Sequence, residues 1–253
     1  MDREHIFEYL STESPMEKYL DTRFRHITPP DTSGDLFTLL TKLPIDYDSR
    51  HIPRLTWNHA LTSMQDAYGT VPGMEHNVIL LKQPRLEIPE HTHTYFELIY
   101  ILSGSSIHHI NQNAETFSEG DFCILPPPSR HLQSRCHEGT AVRILVRPSA
   151  FTEICTGLLK GQDVLSRFLL DSIYNDNREQ YLLFRTGQDR GIRDLIFDMF
   201  LEMFSADVYT DRIITGMLMT LLVKLSRNWP AAVESAPVKN MDHEILSFLQ
   251  ENY

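Results

Sequence analysis

The sequence predicts an α+β fold, a small antiparallel β-barrel over about residues 75–150 followed by a helical region. Three observations predict it. Short β-branched and aromatic runs cut by turns fill the middle of the chain, the hydrophobic period changes from 2 to 3.6 after Pro148, and a spaced set of histidines and a glutamate falls inside the strand-rich stretch.

Residues 1–74 read as an arm with scattered aromatics, loop signals at Pro29-Pro30 and Ser33-Gly34, and two short helices over 35–43 and 57–68. Strands are expected at 77–81, 96–102, 106–110, 122–125 and 141–146, spaced as in a sandwich or barrel. Asn111-Gln112-Asn113 lies between two of these runs, and asparagine tolerates the left-handed backbone of a tight hairpin. Phe96, Leu98, Tyr100 and Leu102 alternate with Glu97, Ile99 and Ile101, so both faces of that strand are apolar and its outer face needs a cover.

Helices can supply it. Ile192, Leu195, Ile196, Met199, Phe200 and Met203 recur at helical spacing, as do Ile214, Met217, Leu218, Leu221, Leu222 and Leu225. A further helix is expected at 164–174. Trp229-Pro230 to Pro237 reads as a linker, and a last helix begins near Met241. The resulting division is 1–74 arm, 75–150 barrel, 151–229 helical region, 230–240 linker and 241–253 the start of another domain.

Composition narrows the function. With 253 residues and 42% hydrophobic content the chain can build an ordinary core. No run reaches the roughly 18 apolar residues of a membrane span, and the start lacks a secretion signal, so a cytoplasmic location is expected. A formal net charge of −11 opposes contact with phosphate, so these residues alone are not expected to bind DNA. Cys123, Cys136 and Cys155 show no metal or disulfide spacing. Nucleophile-elbow, P-loop and dinucleotide fingerprints are missing.

The informative pattern is His91-x-His93-x3-Glu97-x6-Gly104, then Gly120-x5-Pro126-x4-His131. Three imidazoles and a carboxylate suit a divalent transition metal and leave positions open for water or substrate. A straight strand would hold His91 and Glu97 about 20 Å apart, so convergence requires a bend near Thr94-Tyr95, with His131 returning from elsewhere in the sheet. A hydrogen-bonded polar cluster without metal is the other reading, in which Glu97 favours protonated imidazoles and the group meets a polar effector directly. His108 and His109 point to opposite faces of a strand, so only one can line the pocket. Tyr95 and Tyr100 could contact a ligand or belong to the core.

These motifs resemble the two motifs of the cupin superfamily. The phrases H-x-H-x-Y-F-E-L-I-Y-I-L-S-G, E-G-D-F-C-I-L-P-P and V-R-I-L-V-R-P-S-A-F are similar to the N-terminal regions of AraC-type transcription regulators, over about residues 75–230. E-I-L-S-F-L-Q-E-N-Y at 244–253 is similar to the first helix of that family's DNA-binding domain; Pro128 departs from the glycine of many cupins. The resemblance implies a cupin (double-stranded β-helix) barrel, a helical dimerisation region, and a sensor rather than an enzyme. Its implied effector-binding residues are His91, His93, Tyr95, Glu97 and His131, and its implied metal ligands are His91, His93, Glu97 and His131. The expected partners are a small-molecule effector, a second copy of the chain, and DNA through a domain beyond residue 253. A metal-dependent dioxygenase, isomerase or decarboxylase is the alternative.

Overall fold

The structure, a computed structural model, describes residues 2–14, 17–19, 22, 37–38, 42–68, 76–111, 113–134, 139–158, 165, 167–168, 172, 181–228 and 233–235. The helices expected at 35–43 and 164–174, the linker at 230–240 and the helix from 241 lie wholly or largely outside these residues.

Ten strands carry the expected middle of the chain and part of its arm. They are β1 (Asp46–Tyr47), β2 (Pro53–Leu55), β3 (Val78–Lys82), β4 (Ile88–His93), β5 (Phe96–Ser103), β6 (Ser105–Ile110), β7 (Asn113–Ser118), β8 (Asp121–Leu125), β9 (His131–Gln133) and β10 (Thr140–Val146). Two more follow later, β11 (Leu182–Arg185) and β12 (Val233–Ser235). Among the described residues they form two six-stranded sheets, ordered β1-β2-β4-β9-β6-β7 and β12-β11-β8-β5-β10-β3. All pairings are antiparallel except that of β2 with β4. The expected α+β cupin architecture is therefore observed, with helices against one sheet.

Among the described residues, the helices with complete spans are α1 (Arg3–Ser11), α2 (Trp57–Tyr68), α3 (Pro148–Leu158), α4 (Arg190–Phe204) and α5 (Thr210–Asn228). None of the described helices is long and apolar enough to cross a membrane. The two long stripes do what their period implies. Phe96, Leu98, Tyr100 and Leu102 on the outer face of β5 share one core with Ile196, Phe200, Leu218 and Leu222 of α4 and α5. Ile99 and Ile101, on the inner face, pack instead with Ile110, Phe117, Cys123 and Leu125 inside the barrel. Tyr100 thus faces the helices, away from the interior, which removes it as a ligand contact.

Turns fix the strand directions. Gly104, at φ 72, connects β5 to β6, and Asn111, at φ 48, opens the β6–β7 hairpin, both in the left-handed region. Gly120 has φ 85, its N–H donates to the Ile101 carbonyl at 2.8 Å, and a Cβ placed there would lie 1.6 Å from the Gly187 carbonyl oxygen. Only glycine fits that approach.

Two parts of the architecture differ from expectation. β11 lies within the stretch expected to be helical and extends the barrel sheet beside β8. Leu182, Leu183 and Phe184 are an unbroken apolar run, which periodicity alone assigns no better to a strand than to a buried helix. The arm also contributes structure beyond a connection: β2 pairs with β4, while Ile6 and Leu10 of α1 are buried in the main core. Asp2 caps α1 by accepting from the Glu4 and His5 N–H groups. Arg3 reaches Asp194 at 3.0 Å and Asp198 at 2.7 Å on α4.

Candidate functional site

The bend expected at Thr94-Tyr95 separates β4 from β5, and Thr94 N–H donates to the Leu55 carbonyl at 2.9 Å. β9 returns antiparallel to β4 with His131 directly opposite His91. Strand alternation then turns His91, His93, His131 and Glu97 into the same end of the barrel, and all four are buried.

The ring nitrogens are oriented in one sense. His91 Nδ1 donates to the Pro89 carbonyl at 2.8 Å, His93 Nδ1 to that of Tyr95 at 2.6 Å, and His131 Nδ1 to that of Ser129 at 3.3 Å. A carbonyl only accepts, so Nδ1 carries a proton in each ring, and a ring with that single proton keeps a lone pair on Nε2. His93 Nε2 and His131 Nε2 lie 3.3 and 3.0 Å from Glu97 Oε2, but without hydrogen-bond alignment. One ligand atom each from His91, Glu97 and His131 lie within 4.8 Å of one another. Lone pairs converging on an anionic oxygen in a buried site fit a shared divalent cation, and the donor set is one that transition metals accept.

A residue that spacing did not reveal completes the cluster. Arg143 of β10 places Nε 2.9 Å from Glu97 Oε1, on the side opposite the imidazoles. Burial alone would raise the Glu97 pKa, but the charge of Arg143 and the close approach of His131 and His93 override it and hold the carboxyl well below its usual range. Glu97 is therefore an anion at neutral pH. Its effect on the imidazoles is weaker than the sequence suggested. Burial pushes His93 down and His91 well down, outweighing the pull of Glu97, so both rings are neutral rather than protonated. The available signal for Arg143 was a lone charge at an inward position between Ala141 and Leu145.

Tyr95 stacks on His93 with ring centroids 4.7 Å apart and meets Trp57 edge-on at 5.9 Å, inside a cluster that also holds Phe37, Leu55 and Met64. It forms a wall beside the imidazoles. Of the adjacent histidines, His108 is the inward one, stacked on Phe117, while Ile107 is exposed on the other face with His109. Cys123 is buried and free, and burial raises its thiol pKa well above the ordinary value.

Comparison with known proteins follows this geometry. Residues 78–209, just over half of the chain, match the family model described as AraC-like ligand binding domain. The HTH-type transcriptional activator RhaS of Yersinia pestis is 31% identical over 71 residues, covering 28% of this chain and 26% of RhaS, and RhaS of Yersinia pseudotuberculosis gives the same values. The match thus spans about a quarter of these curated relatives. Among solved structures, apo ToxT from Vibrio cholerae is similar at TM-score 0.38 and 12% identity, over 70% of this chain and 65% of that one. A cupin protein from Bacteroides fragilis gives TM-score 0.25 and 23% identity, over 28% of this chain and 64% of its own. With the barrel, its helical cover and the matched span in view, the chain belongs to the AraC-like ligand binding domain family.

Proposed function

We propose that this chain is the effector-sensing and dimerisation portion of an AraC-type transcription regulator, and that a small molecule binds in the barrel beside His91, His93, Tyr95, Glu97 and His131. The observation that carries this reading is the buried cluster in which ligand atoms of His91, Glu97 and His131 lie within 4.8 Å of one another, with His93 Nε2 3.3 Å from Glu97 Oε2. An effector that prefers one packing of barrel and helices shifts the population toward it by its difference in affinity. α4 and α5 share a core with the outer face of β5, so they are the elements placed to respond.

His91, Glu97 and His131 would hold a divalent ion, with His93 beside Glu97 as the further candidate ligand and Arg143 against Glu97 Oε1. Bound there, a divalent ion supplies a Lewis acid for an oxygen or nitrogen atom of the effector. The protein's own residues orient the rings through the three backbone carbonyls and fix the charge of Glu97 through Arg143.

Homodimerisation fits the outward stripe of α5. Ile213 and Val223 are exposed apolar residues on one side of the helix, with Tyr209 exposed just before it and the open Gly216 between them allowing close approach of a second copy. Contact with DNA is assigned to a further domain, in keeping with the negative charge of this chain, and a cytoplasmic location is part of this reading.

The alternative is a metal-dependent cupin enzyme, favoured by the same ligand set. Native mass spectrometry after incubation with a small-molecule extract separates the two, with elemental analysis before and after chelation. A regulator retains an unchanged small molecule, and Glu97→Gln or His131→Ala abolishes retention. Conversion of a ligand by substoichiometric protein would establish the enzyme reading instead, and retention of nothing would overturn the sensor.

A further inference from the structure

The strand that carries His91 and His93 is irregular just before His91. Ile88 lies opposite Gln133 and His91 opposite His131, so three steps along β4 match two along β9. Pro89 and Glu90 therefore face Leu132 together as a bulge, and Pro89 has no N–H to give to the ladder. The extra residue lets Ile88 and His91 both be buried although they are three apart. Backbone pairing between β4 and β9 is thin at this point. A side-chain pair spans it, with Nη2 of Arg130 on Oε2 of Glu90.

Each member of this pair follows a carbonyl that orients a ring. The oxygen that accepts from His91 Nδ1 at 2.8 Å belongs to the peptide joining Pro89 to Glu90. The one that accepts from His131 Nδ1 at 3.3 Å belongs to the peptide joining Ser129 to Arg130. Arg130 is itself fixed to the β6–β7 hairpin: its N–H donates to Asn111 Oδ1 at 3.3 Å, and its carbonyl accepts from the Asn111 N–H at 2.9 Å. The ion pair thus ties the bulge, which the ladder leaves loose, to a backbone anchored at two points. His93 stands outside this arrangement, because its Nδ1 partner is the Tyr95 carbonyl at the turn after β4.

What a histidine offers the interior depends on which way its ring is turned and which nitrogen carries the proton. Nδ1–H held on a carbonyl leaves Nε2 as the atom facing the cluster. A ring released from that carbonyl is free to swing or to move its proton, and the convergence on Glu97 is lost. We infer that Glu90 and Arg130 are positioning residues that hold the Pro89 and Ser129 carbonyls against His91 and His131, and so keep Nε2 of both rings turned to the site. This inference rests on the reading of the imidazole cluster as the binding site. The two side chains are 36% and 26% exposed and lie outside the cavity, so their effect on overall stability is small while their effect on the rings is specific.

Proton–nitrogen correlation spectra of the imidazole rings at neutral pH, without metal, test it. The proteins compared are the unaltered chain, Glu90→Gln, Arg130→Gln, and the charge-reversed double variant Glu90→Arg with Arg130→Glu. In the unaltered chain the Nδ1 protons of His91, His93 and His131 exchange slowly with water. In each single variant those of His91 and His131 exchange at least about tenfold faster while that of His93 is unchanged, and the reversed pair restores slow exchange. Tm falls by less than about 4 °C in the single variants. Unchanged exchange at His91 and His131 in both single variants overturns the assignment. Equal acceleration at His93, or a Tm loss above about 8 °C, overturns it too, because the pair is then a general brace. If the expected proton pattern is found in a protein that retains no small molecule, the sensor reading falls and the positioning role stands.

Discussion

Arg143→Met should be among the most damaging single changes in the barrel that leave its apolar packing intact. Arg143 Nε lies 2.9 Å from Oε1 of Glu97, whose side chain is 2% exposed. Taking away the guanidinium leaves a buried anion without its counter-charge. Breaking a buried pair in this way costs about 3–5 kcal/mol. At about 2–4 °C per kcal/mol for a chain of this size, Tm falls by roughly 6–20 °C. The loss belongs to the pair, so Glu97→Gln combined with Arg143→Met should recover at least about 2 kcal/mol relative to Arg143→Met. Urea unfolding of the four proteins in the cycle, followed by far-UV circular dichroism in the presence of EDTA, measures the coupling. A loss under about 1 kcal/mol in Arg143→Met, or additivity within about 0.5 kcal/mol, would refute the assignment of Arg143 as the counter-charge of Glu97.

Acid should destabilise the protein early. His91, His93 and His108 have folded pKa values pushed down by burial, His108 to about 3, so below about pH 6.5 the unfolded chain binds protons that the folded one refuses. Stability is full above that pH and falls beneath it, by about 1 kcal/mol at pH 5.5 for His108 alone, with His91 and His93 adding losses of the same sign; urea midpoints that stay level from pH 7 to 5.5 would contradict this. Gly120→Ala should leave little soluble protein because its Cβ meets the Gly187 carbonyl at 1.6 Å. Gly187→Ala, at φ 57 with open space, should cost only about 1–2 kcal/mol, and equal yields of the two variants would refute the difference. Val223→Lys on the outward stripe of α5 should convert a dimer to monomer in sedimentation equilibrium without lowering Tm, and an unchanged mass would remove this stripe as the contact.

The strands that form the apolar sheet were legible because their pattern is strong. β5, β8 and β10 are runs of valine, isoleucine, leucine and phenylalanine, buried along nearly their whole length. β4 and β9 were not read as strands, since Ile88–His93 mixes proline, glutamate and histidine, and His131–Gln133 has three residues and no period. The same polar character marked His91, His93 and His131 as site candidates. Spacing along one stretch of chain thus pointed to the imidazoles and Glu97. It could not point to Arg143, which reaches the interior from β10 and meets the others only once the sheets have closed. His108 was separated from His109 only by the register that pairs it with Gln133.

The docking of α1 bears on how the molecule can be dissected. Ile6 and Leu10 fill a groove shared with β3, β5 and the two long helices, although the barrel itself starts some 70 residues later. A fragment cut at residue 75 would therefore keep the imidazoles, Glu97 and Arg143, yet lose the β2 strand paired to β4 and bare an oily trench along its flank. Its poor solubility would be a property of the cut and no measure of the sensor.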